Sequence, residues 1–346
     1  MFRQLKTAGL HAILIGPFPR TSKARTILCW CLFALAGCGG GGGGGGDGSA
    51  PPAVRLTHPA TVTVAGTVRS YTLYVPPNFR PNSSALVLVL HGMTINGPVF
   101  EDNTQMTAKA QQEGFAIAYP LADRWTQPTG SFQDWAYFFV DTFAVSPPPD
   151  DILFLRTLIN TLQVSVNPDP KRIYVAGFSN GANMTHRVAV ELSDLVAAVG
   201  AVDGAMYISL PPVPPMPSTL TPISVLTLQS ELTPADGGTQ LCTAIYRASA
   251  DQAFAYWTGP SANSCAMFST ADNFCSGPTR AVYKTASNCL NNVEVRSYVL
   301  LGGVHTWYGS PMDNPTRVPY NPAFNATIGT TTNDILWNFF LTHPKP

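Results

Sequence analysis

The chain has 346 residues, 20 Lys plus Arg balanced by 20 Asp plus Glu, and only 12% charged residues in all, about half the usual share. With no basic block and no excess of Lys and Arg, nucleic acid is excluded as an expected partner, while 45% hydrophobic residues supply material for a full core. Low charge with 31 prolines and many Ser, Thr and Asn suggests an exported protein with a polar, mostly uncharged surface.

The N-terminus agrees with export. Arg20, Lys23 and Arg25 precede the apolar run Ile27-Leu28-Cys29-Trp30-Cys31-Leu32-Phe33-Ala34, the pattern of a signal peptide and too short for a membrane span. The run ends in Leu35-Ala36-Gly37-Cys38, which resembles a bacterial lipobox; that resemblance makes residues 1–37 the signal and Cys38 the lipidated first residue of the mature protein. Eight glycines, Gly39 to Gly46, and Asp47-Gly48-Ser49-Ala50-Pro51-Pro52 follow as a flexible tether. The expected address is an exported bacterial lipoprotein of the outer membrane, periplasm or cell surface, meeting the membrane through its lipid alone.

Residues 53–346 read as one domain. Thr61-Val62-Thr63-Val64 and Ser70 to Val75 alternate as strands, and Pro76-Pro77 closes the second. Ala85 to Leu90 is a continuous apolar run, as in a parallel strand buried on both faces, and leads into His91-Gly92-Met93. A helix is expected near residues 100–113, then a strand at Phe115 to Tyr119. Asp150 and Asp151 cap a helix whose Ile152, Leu155, Leu158, Ile159 and Leu162 recur at helical spacing.

Next comes the densest signal. The strand Arg172-Ile173-Tyr174-Val175-Ala176 runs into Gly177-Phe178-Ser179-Asn180-Gly181, and a helix-compatible stretch from Ala182 follows. Strand, Gly-x-Ser-x-Gly, helix is what a nucleophile elbow requires: the serine sits on a sharp turn, flanking side chains would collide, and the helix N-terminus faces developing negative charge. Further apolar runs follow at Leu195 to Val202 and Ile223 to Leu228, then Val293 to Leu300 as the last strand, with an amphipathic helix over Asn333 to Leu341. Strand–helix alternation of this kind predicts an α/β fold, a mostly parallel central sheet with helices on both faces. Residues 240–291 read as an irregular excursion over the sheet edge.

Without Cys29, Cys31 and Cys38, four cysteines remain: Cys242, Cys265, Cys275 and Cys289. An even number in an exported chain implies two disulfides with three possible pairings. The spacing fits no zinc pattern, so neither a metal site nor a cofactor is expected.

Five stretches together, Leu90-His91-Gly92, Tyr119-Pro120, Asp150 to Leu155, Arg172 to Gly181 and Gly302-Gly303-Val304-His305-Thr306-Trp307, resemble the polyhydroxybutyrate-depolymerase-like and feruloyl-esterase-like group of α/β-hydrolases. The resemblance implies an α/β-hydrolase fold with a disulfide-stapled excursion before the last strand. It also implies a serine esterase in which Ser179 attacks a carbonyl, His305 carries the proton, and an acyl-enzyme forms. The backbone amides of Asn180 and Met93 would form the oxyanion hole, with His91 orienting the loop. The cysteine pairing carried over is Cys265–Cys289, leaving Cys242–Cys275. Trp307 and Trp135 are candidate substrate-wall aromatics alongside His91, whereas Trp257 reads as core.

The acid departs from the pattern. The group carries His-Gly-x-x-Asp after the strand preceding the excursion, whereas this chain has Gln229-Ser230-Glu231-Leu232-Thr233, with Thr233 at the acid position. Glu231 is the preferred acid, Asp236 the runner-up, and a chain with no functional acid the third option. The short stretch after His305, with no Thr-rich linker, suggests soluble esters or released oligomers handled by a monomer. Hydroxyalkanoate oligomers or polyester and feruloyl or acetyl esters all fit; the rivals are polyaspartate-type amide cleavage and a non-catalytic ester- or glycan-binding lipoprotein.

Overall fold

The computed structural model describes residues 54–55, 60–95, 97–127, 130–137, 148–206, 220–231, 247–272, 280–301, 305–312 and 331–346. All of them belong to the unit Ser49–Pro346, and Cys38 and the Gly-rich tether lie outside the described residues.

The frame is an 11-stranded sheet. It begins with β1 (Val54–Arg55), β2 (Ala60–Val64) and β3 (Thr67–Val75), an antiparallel group at one edge. β3 pairs antiparallel with β5 (Ala116–Pro120), which pairs parallel with β4 (Leu86–Leu90). From β4 the sheet runs parallel through β8 (Ile173–Phe178), β9 (Ala198–Val202), β10 (Ser224–Glu231) and β13 (Val295–Leu301). The short β6 (Arg124–Gln127) and β7 (Gly130–Gln133) form a separate hairpin.

Alternation along the central strands sorts the core into two layers. Leu86, Leu88 and Leu90 of β4 join one cluster, with Phe154 and Leu158 of α3 (Asp151–Ser165), Met184 and Val188 of α4 (Asn180–Glu191) and Trp257 of α5 (Arg247–Thr258). Val87 and Val89 join the other, with Phe100 of α1 (Gly97–Thr104), Ala110 of α2 (Met106–Glu113) and Leu336 and Phe340 of α6 (Thr332–Thr342). Helices cover both faces, which is why β4, β8 and β9 are apolar throughout rather than alternating. This is the α/β-hydrolase architecture.

Two expectations need correcting. The helix near 100–113 is two helices, because Gln105 between them adopts φ 56° and breaks the hydrogen-bond ladder. The excursion is also more regular than the sequence suggested. Beyond α5, β11 (Met267–Asp272) and β12 (Arg280–Ser287) form a hairpin whose second strand pairs antiparallel with β13, extending the main sheet. Cys265 and Cys289 are bridged, tying the end of the α5 segment to the exit of β12. Cys242 and Cys275 lie outside the described residues.

Candidate active site

The elbow is built by steric necessity. Ser179 sits between β8 and α4 with φ 55° and ψ −122°, a region sparsely populated by residues with a Cβ. A Cβ on Gly177 would lie 2.2 Å from the Gly181 carbonyl oxygen, and one on Gly181 would lie 2.2 Å from that of Leu90. Only hydrogen fits at either place, so the turn brings α4 onto the ends of β8 and β4. As the first residue of α4, Asn180 has an amide with no carbonyl to bond within the helix. A Cβ built on Gly92 would lie 3.3 Å from the Ser179 Cβ, which brings the segment that carries Met93 beside the serine. The Met93 side chain is exposed.

Around the elbow a buried polar network fixes the floor. Asp134 accepts from the Asn180 side-chain amide at 2.9 and 3.0 Å and from the Trp135 backbone amide at 2.9 Å. Asn183 donates to Asn180 and accepts from the Ala205 amide. His91 is buried, with Nε2 accepting from the Ala122 amide at 3.0 Å and Nδ1 lying 2.7 Å from the Gly92 carbonyl, which fixes the neutral tautomer protonated at Nδ1. Burial lowers its pKa to about 4, outweighing the Gly92 hydrogen bond. His91 therefore braces the loop and does not titrate near neutrality.

The expected wall aromatics are packing groups. Trp135 and Trp307 are both fully buried. The Trp135 indole donates to the His91 carbonyl, and that of Trp307 donates to Asn333. Trp257 is equally buried and donates to His186, the core role the sequence suggested.

His305 follows β13 and packs its ring on Phe178, the residue before Ser179, with centroids 4.7 Å apart. About half of its side chain is exposed, at 49%. Desolvation of the covered part lowers its pKa, favouring the neutral imidazole a general base needs. His305 and Ser179 thus share the carboxyl end of the parallel strands, where such sheets open to ligands.

Glu231 closes β10 opposite Leu301, but its side chain, like the whole of Asp236, lies outside the described residues. Another carboxylate stands next to the histidine. Asp203 immediately follows β9, its Oδ2 3.9 Å from His305 Nδ1 and its side chain 1% exposed. Sequence reasoning missed it. The available signal was an aspartate at the carboxyl end of a buried parallel strand, one strand from the elbow, followed by Gly204.

Residues 69–210 match the family described as Esterase PHB depolymerase. NocK of Nocardia uniformis subsp. tsuyamanensis is 29% identical over 315 residues, covering 82% of this chain and 81% of NocK. Poly(3-hydroxyalkanoate) depolymerase C of Paucimonas lemoignei is 24% identical over 131 residues, 38% of this chain and 30% of that protein. Feruloyl esterase B of Piromyces equi is 30% identical over 40% of this chain and 23% of its own length. Among solved structures, sOPH superimposes with a TM-score of 0.52 at 17% identity, covering 86% of this chain and 90% of that one, a likeness of fold.

Proposed function

We propose that this chain, an ester hydrolase by its match to the Esterase PHB depolymerase family, is a serine esterase with Ser179 as nucleophile and His305 as general base. The observation that carries the reading is the backbone of Ser179, φ 55° and ψ −122°, held between glycines with no room for a Cβ. Such strain persists where surrounding structure enforces it, and it clusters at reacting residues.

In the proposed reaction Ser179 Oγ bonds to the ester carbonyl carbon as its proton passes to the His305 ring. The carbonyl oxygen gains the negative charge, facing the amides of Asn180 and Met93 and the N-terminal end of α4. Collapse expels the alcohol, which takes the proton back from His305 and leaves an acyl-Ser179. Water then repeats the sequence with His305 again as base. No step calls on a metal or an organic cofactor.

The substrate class proposed is a carboxylic ester of a hydroxyalkanoate oligomer or polyester, or a feruloyl or acetyl ester. Named relatives act on both kinds. The lipobox-like Leu35-Ala36-Gly37-Cys38 supports an envelope-anchored enzyme.

The test is hydrolysis of short p-nitrophenyl acyl esters by the mature domain. Ser179→Ala is expected to lower kcat by ~10⁴-fold or more. Activity surviving that change, or absent from folded wild-type protein, overturns the esterase reading. Cys38→Ala is expected to move the protein from the membrane fraction to the soluble one; an unchanged distribution refutes the anchor.

A further inference from the structure

We propose that Asp203, at the end of β9, is the carboxylate that orients His305 and stabilises its imidazolium, in place of an acid at the end of β10. The inference rests on the reading of Ser179 and His305 as nucleophile and base, and it adds a positioning residue to that pair.

The backbone places Asp203 first. β8 and β9 are parallel with Phe178 opposite Val202, so the next residue of each strand, Ser179 and Asp203, are neighbours at the same sheet end. The Ser179 amide donates to the Val202 carbonyl at 3.0 Å, and the Asp203 amide donates to that of Leu228 at 2.8 Å. Asp203 itself has φ 51°. Two adjacent strands therefore end in non-glycine residues of positive φ, at the place where the reacting groups meet. After Asp203 comes Gly204, whose Cβ would lie 2.6 Å from the Ser179 carbonyl oxygen.

The side chain is then locked toward the histidine. Oδ1 accepts from the Ser230 amide at 2.5 Å, and Oδ2 accepts from Ser230 Oγ at 2.8 Å and from the Thr306 amide at 3.0 Å. The Thr306 bond ties the loop bearing His305 directly to the carboxylate. The Ser230 bonds turn β10, the strand expected to carry the acid, into a brace for a carboxylate on its neighbour. Nδ1 at 3.9 Å is a small ring adjustment from a hydrogen bond, and such contacts tighten when substrate binds.

Chemistry gives the arrangement a purpose. Asp203 is fully buried, and among the described residues His305 is the cation-forming group paired with it. A buried carboxylate without a cation is costly. Burial raises its pKa to about 7 against the pull of the Ser230 and Thr306 bonds. When His305 takes the Ser179 proton on Nε2, the imidazolium supplies the missing charge: Nδ1–H donates to Asp203 Oδ2, and the proton on Nε2 later leaves with the alcohol. Asp203 neither gains nor loses a proton in these steps. Among the described residues the other ionisable group nearby is Tyr308, whose hydroxyl reaches Ser230 Oγ at 2.7 Å.

The test compares Asp203→Asn with Glu231→Gln in kcat, KM and the pH profile of kcat/KM. Asp203→Asn is expected to lower kcat by ~10³-fold or more with KM changed only a few-fold. The acid limb should move to lower pH, because an imidazolium without its carboxylate is less stable. The Glu231→Gln loss should be the smaller one. Asp203→Asn retaining more than a tenth of wild-type kcat with an unmoved acid limb, or a larger loss in Glu231→Gln, overturns the proposal. If Asp203→Asn does not fold, a structure of wild-type enzyme bearing a boronic acid on Ser179 decides. His305 Nδ1 within ~3.2 Å of Asp203 Oδ2 supports the assignment, and another carboxylate at Nδ1 defeats it. Ser179→Ala keeps the two readings separate: its full activity would remove the nucleophile, while its inactivity beside an unaffected Asp203→Asn would remove Asp203 alone.

Discussion

Ser179 combines the proposed nucleophilic role with backbone strain, and the two can be separated by substitution. Its φ of 55° and ψ of −122° store on the order of 1–3 kcal/mol. Ser179→Ala keeps the Cβ and thus the strain, whereas Ser179→Gly removes both hydroxyl and Cβ. Glycine loses ~0.5–1 kcal/mol through unfolded-state entropy, so Ser179→Gly is predicted to be more stable than Ser179→Ala by ~1 kcal/mol, with both inactive. Urea denaturation of the pair measures it, and a Ser179→Gly midpoint below that of Ser179→Ala, as glycine entropy alone would give, would show that the turn is unstrained. The flanking glycines carry the opposite prediction. A methyl on Gly181 meets the Leu90 carbonyl oxygen at 2.2 Å, and backbone cannot step aside cheaply, so Gly181→Ala should lose several kcal/mol by denaturation as well as activity.

At the scale of elements, the excursion between β10 and β13 is held by packing, pairing and one staple. α5 buries Trp257 against α4 through His186, and β12 pairs along β13. The Cys265–Cys289 bridge spans 24 residues, and closing such a loop is worth about 3 kcal/mol in the chain-entropy view. Cys265→Ala with Cys289→Ala is therefore expected to lower the unfolding free energy by that amount, read from urea denaturation, without touching the elbow. A double variant of unchanged stability would place the excursion's stability elsewhere. At the opposite edge, Arg69 of β3 joins Asp151 at the start of α3 at 2.7 Å, both buried. Asp151 also accepts from the Ala136 amide, so the capping aspartate of the sequence pattern doubles as a tie between β3 and α3. Asp150 is the residue that caps, accepting from the Leu153 amide at 2.9 Å.

For the whole molecule, the buried carboxylates set the response to pH. Burial raises Asp203 to about 7 and Asp151 to about 6, the latter against the attraction of Arg69. In both cases the folded protein keeps a proton that the unfolded chain has released above its ordinary carboxylate pKa. Their contribution is thus most favourable below about pH 4, declines as pH rises through the folded-state values, and is constant beyond. Thermal melting of the wild type should show this decline between pH 4 and 7, and Asp203→Asn should flatten it; a variant with the wild-type slope would place the titration on other groups. Asp334 works at the other end. It is lowered to about 2, its burial outweighed by hydrogen bonds from Lys109 and Thr331, so what it contributes is lost only as pH falls through that value.

Ser179, the two glycines and the succession of elements were legible in the sequence because they are local. Burial on both faces writes itself into β4, β8 and β9 as unbroken apolar runs, and an elbow writes itself as two missing side chains around a serine. Asp203 was not legible. The one local mark, an aspartate before Gly204 at the end of an apolar run, fits any strand-ending turn as well, and a carboxylate becomes a partner for His305 only through the register of β8 and β9, which sets Ser179 beside Asp203, and through the Ser230 bonds from β10 that fix its side chain. The fate of Trp135 and Trp307 was hidden for the same reason: an indole can face a cleft or the core, and tertiary packing decides, against His91 for Trp135 and against Phe100 of α1 and Asn333 of α6 for Trp307. Local sterics and burial patterns are properties of segments, whereas the meeting of distant polar groups is a property of how the segments are laid together.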